Sequence, residues 1–152
     1  MTNEELKLQL TTASPNIEID DSGEWINCNI SSTDLIAITN QLRHEDEFNF
    51  DYLFCLTCID WKTHLTMVYH LSSTTHHHNI VLKSKLDREN PQIETVSHIW
   101  RAAEFHEREV YEMFGVNFLN HPDLRLLILP DGWDGKNPMR KDFEDPINMI
   151  KL

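Results

Sequence analysis

Two cysteines, Cys55 and Cys58, stand at the three-residue spacing that redox and metal sites use. A redox pair normally opens a helix, whose N-terminus stabilises the thiolate. Here the pair lies in an apolar run of strand length, where side chains three positions apart point to opposite faces. The chain has no second pair, and its three cysteines are fewer than the four thiolates of an all-cysteine iron–sulfur site. We therefore interpret both thiols as apolar side chains of the core.

Three consecutive histidines, residues 76–78, are a second candidate for metal binding. They fall at a predicted hairpin turn, where consecutive imidazoles point in different directions, so we interpret them as part of a solvated loop. The sequence contains no HExxH motif, and its four glycines form neither a GxGxxG nor a Walker phosphate loop. These residues favour a chain that holds no flavin, haem, cluster or nucleotide of its own.

The charged residues of one predicted helix say more about function than these cysteines and histidines do. Apolar side chains at a period of 3.6 residues predict a helix over residues 97–114, ended by Gly115, a residue type favoured directly after a helix C-terminus. Arg108 lies four residues from both Glu104 and Glu112. Pairs at this spacing stabilise an exposed helix by roughly 0.2–0.5 kcal/mol each. We therefore predict that these three side chains lie on a solvated face.

Glu107 differs from its neighbours, because the helical period places it in the middle of the apolar stripe while Glu109 faces away. A carboxylate among apolar side chains must find a partner or become neutral. We favour a buried salt bridge, with Arg125 or Arg140 as the leading candidates, since both lie in a segment that must fold back near the helix. The alternative is a perturbed acid in a proton pathway, but no nucleophile or second acid shares the stripe.

Length and composition exclude several classes of protein. The 152 residues suffice for one domain, and the 40% apolar and 25% charged fractions are typical of a globular chain. A net charge of -12 argues against direct binding to nucleic acid or to anionic lipid. No run of 18 or more apolar residues exists, and the first ten residues lack a signal-peptide pattern. We expect a cytoplasmic chain without a membrane span.

The elements that position these residues form a predicted α+β fold. Apolar residues alternate along residues 64–71, the period of a half-buried strand, and residues 52–60 are a short apolar run of strand length. We expect a mixed or antiparallel sheet of about four strands, covered by two main helices near residues 33–43 and 97–114. The predicted strands are residues 24–30, 52–60, 64–71 and 79–86.

The last part of the chain has a different character. Residues 119–152 show little periodicity and contain four prolines, yet they carry large apolar groups such as Trp133 and Phe143. Such groups are costly to leave in water, at about 25 cal/mol per Å² of apolar surface. We therefore predict an α+β domain over residues 1–118 and an extended C-terminal arm over residues 119–152 that packs on a partner subunit.

Several stretches of this sequence together resemble one family. They are EREVYEMFGV at residues 107–116, HPDLR at 121–125, LILP at 127–130, DGW at 131–133 and RKDF at 140–143. The chain is similar to the C subunit, or thirty-kilodalton subunit, of proton-translocating NADH–quinone oxidoreductase, respiratory complex I. The resemblance implies that the signature residues are assembly contacts: Glu107, Arg108, Glu109, Glu112, Phe114, Gly115, His121, Pro122, Asp123, Arg125, Pro130, Gly132, Trp133, Arg140, Lys141, Asp142 and Phe143.

The resemblance also implies a role for the chain. It would be a cofactor-free structural subunit of the peripheral arm, lying against the D subunit and near the B and I subunits. FMN and iron–sulfur clusters in the sister subunits would carry electrons from NADH to quinone. The complex would lie on the cytoplasmic side of the inner membrane. The chain departs from the family mildly, with Glu112 where Asp is usual and with Lys136 and Asn137 where one residue is more common.

Two other functions stay open at this point. The first is the equivalent subunit of a membrane-bound energy-converting hydrogenase, or of a related dehydrogenase with another electron donor. The second is an independent small enzyme or metal-binding protein that uses Glu107 or the histidines. The lack of a nucleophile, a nucleotide loop or a ligand cluster in the sequence weighs against the second.

Overall fold

The computed structural model of the chain describes residues 2–20, 22–145 and 147. Met1, Asp21, Pro146 and residues 148–152 lie outside the described residues. The last part of the predicted arm falls among them.

Five strands form the main sheet. They are β1 (Glu18–Asp20), β2 (Ile26–Ile30), β3 (Tyr52–Asp60), β4 (His64–Ser73) and β5 (His78–Asp87). Their spatial order is β1-β2-β5-β4-β3, with β2 parallel to β5 and the other neighbouring pairs antiparallel. The predicted mixed or antiparallel sheet is confirmed and is mixed. The edge strand β1 is an addition to it, because three residues are too few to show a period.

Three helices pack their apolar faces into one core with the sheet. They are α1 (Asn3–Ala13), α2 (Leu35–His44) and α3 (Ala103–Phe114). The first begins with a capping box, in which Thr2 and Glu5 each accept the other's backbone N–H. Along β4, Leu65, Met67 and Tyr69 are fully buried, in line with the predicted alternation.

A second, two-stranded parallel sheet joins β6 (Gln92–Glu94) to β7 (Asn117–Leu119). These two strands flank α3 in sequence, so their pairing brings the chain before the helix beside the chain after it. The Thr95 N–H extends the contact by donating to the Leu119 carbonyl at 3.0 Å. The segments that carry Thr95 and His121 thereby lie next to the helix.

The predicted helix over residues 97–114 is too long at its start. Residues 97–102 form turns, and α3 begins only at Ala103. The Trp100 side chain fixes these turns, because its indole N–H donates to the Phe50 carbonyl at 3.0 Å. The helix ends as predicted at Gly115, whose φ of 77° is the left-handed conformation that glycine tolerates best.

Candidate functional site

Glu107 is fully buried on the inner face of α3, as its place in the apolar stripe predicts. Its Oε1 atom accepts the Val96 N–H at 2.8 Å, and its Oε2 atom lies 2.5 Å from the Thr95 hydroxyl. The other close polar group is the His121 ring, whose Nε2 atom lies 3.7 Å from Oε2. The predicted salt bridge to Arg125 or Arg140 is therefore wrong, because uncharged donors of the folded backbone and of Thr95 hold the carboxyl group.

Both arginines bind elsewhere. Arg125 is exposed, and its Nε atom donates to the Asp123 carboxylate at 2.8 Å. Arg140 donates from Nε to the Phe114 carbonyl at 2.7 Å and so closes the C-terminal end of α3. The segment does fold back to the helix, but its cations bind a surface carboxylate and a helix end instead of the core.

The His121 ring lies beside this site and binds two backbone groups. Its Nε2 atom lies 3.0 Å from the Glu104 carbonyl and must donate, while its Nδ1 atom accepts the Asp123 N–H at 3.0 Å. These two backbone partners assign the tautomer with hydrogen on Nε2. Burial then raises the pKa of Glu107 to about 7, against the opposing effect of the Thr95 and Val96 hydrogen bonds.

Arg108 and Glu112 are buried too, so the prediction of a solvated face is wrong for both. The Arg108 guanidinium donates from Nε to the Arg125 carbonyl at 3.1 Å and from Nη2 to the Leu126 carbonyl at 2.7 Å. The Arg108 side chain is covered by residues that follow β7 and fold back onto α3. The spacing of charges within one helix cannot predict such a contact. Arg108 also lies over the exposed Phe105 ring, 5.8 Å from its centroid.

Glu112 also forms hydrogen bonds with the segment that folds back onto α3. Its carboxylate accepts three consecutive backbone N–H groups, those of Leu127, Ile128 and Leu129, at 2.8 to 3.1 Å. Residues 125–129, here called the clasped segment, are therefore bound to α3 through their backbone. Two of its apolar side chains point outward, with Leu127 39% and Ile128 61% exposed.

The following tail also contacts its own domain. The Met139 N–H donates to the Met113 carbonyl at 3.1 Å. The Asn137 carboxamide packs so tightly on Gly115 that a Cβ atom there would lie 2.6 Å from its Nδ2 atom. Glycine is thus required at the helix end for its conformation and for this close approach.

An ion-pair cluster anchors the signature residues Lys141 and Asp142. Arg88 donates two hydrogen bonds of 2.9 Å to the buried Asp60 carboxylate and also binds Asp142 at 2.7 Å. The Lys141 N–H donates to Asp60 at 2.9 Å. The Arg88 guanidinium and the backbone donors hold the pKa of Asp60 well below its usual range. The cluster ties the tail to the ends of two sheet strands.

Trp133 and Phe143 lie together on the tail, with ring centroids 6.4 Å apart. The Lys136 ammonium lies 4.4 Å above the Trp133 ring, and these side chains border an open groove of about 740 Å³. Of the remaining signature residues, Phe114 is buried in the core, whereas those at the surface are Glu109, Pro122, Pro130 and Gly132.

The structure agrees only partly with our interpretation of the cysteines as core side chains and of the histidines as a solvated loop. Cys28 and Cys58 are buried free thiols, and burial raises the pKa of each to about 12, while Cys55 is half-buried. His77 is exposed as expected, but His78 is buried as the first residue of β5. Within residues 2–20, 22–145 and 147, no cluster of three or more His, Cys, Asp or Glu side chains could hold a metal ion. No helix in that part of the chain is long and apolar enough to cross a membrane.

Sequence reasoning missed Thr95, Asp60 and Arg88. Thr95 meets Glu107 from 12 residues away, and Asp60 meets Arg88 from 28 residues away. No period or motif connects such positions. A weak signal existed for Asp60, which ends an apolar strand where a carboxylate needs a partner.

Comparison with known proteins adds a family match. The family model described as respiratory-chain NADH dehydrogenase, 30 kDa subunit, matches residues 28–147. The C/D subunit of the NADH-quinone oxidoreductase of Phocaeicola vulgatus is 43% identical over 106 residues, which cover 68% of this chain and 20% of that protein. The C subunit of the NADH-quinone oxidoreductase of Moorella thermoacetica is 34% identical over 137 residues, or 89% of this chain and 90% of that one. This chain thus spans a small part of some relatives and nearly all of others.

A relative with another electron donor is the C subunit of the F(420)H(2) dehydrogenase of Methanosarcina mazei, 41% identical over 97 residues, which cover 62% of this chain and 61% of that protein. Two solved structures share the fold. A chain of the membrane-bound sulfane sulfur reductase, an archaeal respiratory membrane complex, superposes with a TM-score of 0.79 at 30% identity, covering 93% of this chain and 85% of that one. A trypsin-resistant fragment of Nqo5 gives a TM-score of 0.68 at 25% identity, covering 81% of this chain and all of the fragment.

Proposed function

This chain belongs to the family of the 30 kDa subunit of respiratory-chain NADH dehydrogenase, and from that membership we propose that it is a structural subunit of an NADH–quinone oxidoreductase. The observation that carries the proposal is the family match over residues 28–147, which includes every signature residue. In this proposal the chain has no catalytic centre. FMN and iron–sulfur clusters of partner subunits transfer electrons from NADH to quinone, and the complex translocates protons.

The geometry of the signature residues supports a structural role. Arg108 and Glu112 direct their charged groups at five backbone groups of the clasped segment. Glu107 likewise binds the chain that precedes α3. Side chains used in this way hold one surface of the domain in a defined shape, which is what a subunit needs for assembly.

We propose the D subunit as the main partner and the B and I subunits as further neighbours. Relatives such as that of Phocaeicola vulgatus carry the combined name C/D, which supports a close relation of the two subunits. The outward Leu127 and Ile128 side chains, and the groove beside Trp133, are the proposed contact surface. In this proposal residues 1–118 are the domain and residues 119–152 the arm that meets the partner, and the complex is peripheral on the cytoplasmic side of the inner membrane.

A pull-down from the native host tests the proposal. Tagged full-length chain should co-purify with flavin- and cluster-bearing subunits and with NADH–quinone oxidoreductase activity. Ile128→Asp places a charge in the proposed contact, so the D subunit should be lost from the purified material. Leu8→Asp is the matched control, because Leu8 is 70% exposed and belongs to α1, not to the clasped segment. Equal recovery of the D subunit with both variants contradicts the proposed contact, and a wild-type chain that purifies alone contradicts the function.

The second candidate is the equivalent subunit of a complex with another electron donor or acceptor. It is favoured by the similarity to the F(420)H(2) dehydrogenase relative and to the sulfane sulfur reductase chain. The same purified complex decides between the two. Reduction of quinone with NADH supports the first candidate, whereas activity only with a reduced deazaflavin or with a sulfur substrate supports the second.

A further inference from the structure

Glu107 is a carboxyl group buried in the core. In the part of the chain that the structure describes, no lysine or arginine lies within ion-pair distance of it. A structural carboxylate with 0% exposure is normally paired with a cation, because burying an isolated charge is costly. Glu107 therefore differs from the usual member of a buried ion pair.

The groups that face Glu107 come from four parts of the chain, and among the described residues none of them is a lysine or an arginine. Glu104 belongs to the same helix and disfavours a second negative charge nearby. His121, after β7, directs its two ring nitrogens at the Glu104 carbonyl and the Asp123 N–H. Tyr69, from β4, is fully buried, and its hydroxyl has no hydrogen-bond partner among the described residues. The segment after β6 contributes the neutral donors Thr95 and Val96.

Two hydroxyl groups connect the carboxyl group to an open groove. The Thr95 Oγ1 atom lies 2.5 Å from Glu107 Oε2 and 2.8 Å from Ser97 Oγ. The Ser97 N–H donates to the same Thr95 oxygen at 3.1 Å and fixes the geometry of the pair. Both side chains border a groove of about 930 Å³, whose other polar lining residues are Thr33, Glu94, His98, Arg101, Glu104 and Asn120.

We propose that Glu107 is a reversible proton-binding site whose proton exchanges with this groove through the hydroxyls of Thr95 and Ser97. With Glu107 ionised, Thr95 donates to the carboxylate, and the Ser97 hydroxyl, which accepts from Thr95 in the structure, turns to donate to Thr95. A hydronium ion in the groove gives its proton to Ser97 Oγ, the former Ser97 proton passes to Thr95 Oγ1, and the former Thr95 proton passes to Glu107 Oε2. Each hydroxyl keeps one hydrogen, the hydronium ion leaves as water, and no electrons move.

The hydroxyl groups of Thr95 and Ser97 can form their hydrogen bonds whether Glu107 is ionised or protonated, and a reversible proton site needs this. In the protonated state Glu107 donates to Thr95, Thr95 donates to Ser97, and Ser97 donates into the groove. The Ser97 N–H stays bound to Thr95 in either state. Burial, which raises the pKa of Glu107 to about 7, places the exchange near neutral pH. Ionisation then leaves a charge in the core where α3 meets β6 and β7.

The site goes beyond a structural subunit's role in assembly, and its test needs no partner. Full-length chain labelled with ¹³C in its glutamate side chains is titrated between pH 4 and pH 9, and the carboxyl carbon of Glu107 is followed by NMR. Glu107→Gln identifies the resonance by its loss, and Glu109→Gln, on the same helix but exposed, must leave it in place. We expect a midpoint near pH 7, and a midpoint near 4.5 overturns the proposal.

A second pair of variants tests the hydroxyl path and needs no substitution at Glu107. Thr95→Val keeps the branched shape but removes the hydroxyl, whereas Thr95→Ser keeps the hydroxyl. We expect Thr95→Val to raise the midpoint, because it removes a hydrogen bond that stabilises the ionised form of Glu107. We also expect it to slow proton exchange. Thr95→Ser should resemble the wild type. Identical midpoints and exchange rates in all three proteins overturn the path.

Discussion

Glu112 gives the sharpest prediction about the clasped segment. Replacement of Glu112 by Gln keeps the size and one oxygen but removes the negative charge. In the structure one carboxylate oxygen lies within 2.8 to 3.1 Å of the Leu127, Ile128 and Leu129 N–H groups, and the other oxygen accepts from Ile128 at 2.9 Å. A glutamine can keep one of these oxygens, but its NH₂ group then faces the Ile128 N–H.

The magnitude follows from the strength of charged hydrogen bonds. A hydrogen bond to a charged group contributes about 1.5–3 kcal/mol and one between neutral groups about 0.5–1.5 kcal/mol, so each of the three amides loses about 1 kcal/mol. Leu127 and Ile128 are partly exposed, and water offsets some of this loss. We expect local opening of the clasped segment to become easier by about 2–3 kcal/mol, or about 30- to 150-fold.

Hydrogen exchange of the Leu127, Ile128 and Leu129 amides measures this opening. Glu109→Gln is the control, since it makes the same change of charge on the exposed face of the same helix. Glu112→Asp keeps the charge but shortens the reach, and should give an intermediate exchange rate. If these amides exchange equally fast in Glu112→Gln and Glu109→Gln, the reasoning about the clasp is refuted.

Three further predictions concern other contacts. Arg88→Ala should lower the urea midpoint of unfolding more than the exposed control Lys85→Ala, because it leaves the buried Asp60 carboxylate without its cation; equal midpoints contradict this. Gly115→Ala should cost about 1–2 kcal/mol of unfolding free energy in the same assay, because φ is 77° and the tail packs on the α-carbon. For Glu107, whose pKa is raised to about 7, the folded chain keeps a proton that the unfolded chain releases above about pH 4.5. The resulting contribution to the unfolding free energy is up to about 3 kcal/mol; it is fully present below pH 4.5 and is lost as the pH rises to 7. Urea unfolding at a series of pH values measures this loss, and Glu107→Gln should abolish it.

The local pattern of residues was sufficient to predict the four longer strands of the main sheet and the two main helices. Alternation along residues 64–71 and the 3.6-residue period before Gly115 each depend on a few neighbouring side chains, so the strand and the helix end were predicted correctly. The burial of Glu107 followed from the same period. Strands β1, β6 and β7 were missed, because three residues are too short to show a period and are held by pairing with distant chain.

The partners of the charged side chains were decided only by the tertiary structure. Arg108 and Glu112 have the spacing of an exposed ion pair, yet the clasped segment covers them, and they bind its backbone groups. Glu107 takes neutral donors because the pairing of β6 with β7 brings Thr95 beside it and leaves the arginines outside. Periodicity determines which face of an element is buried, whereas the choice of partner depends on which distant segments the fold brings within about 3 Å of the charge.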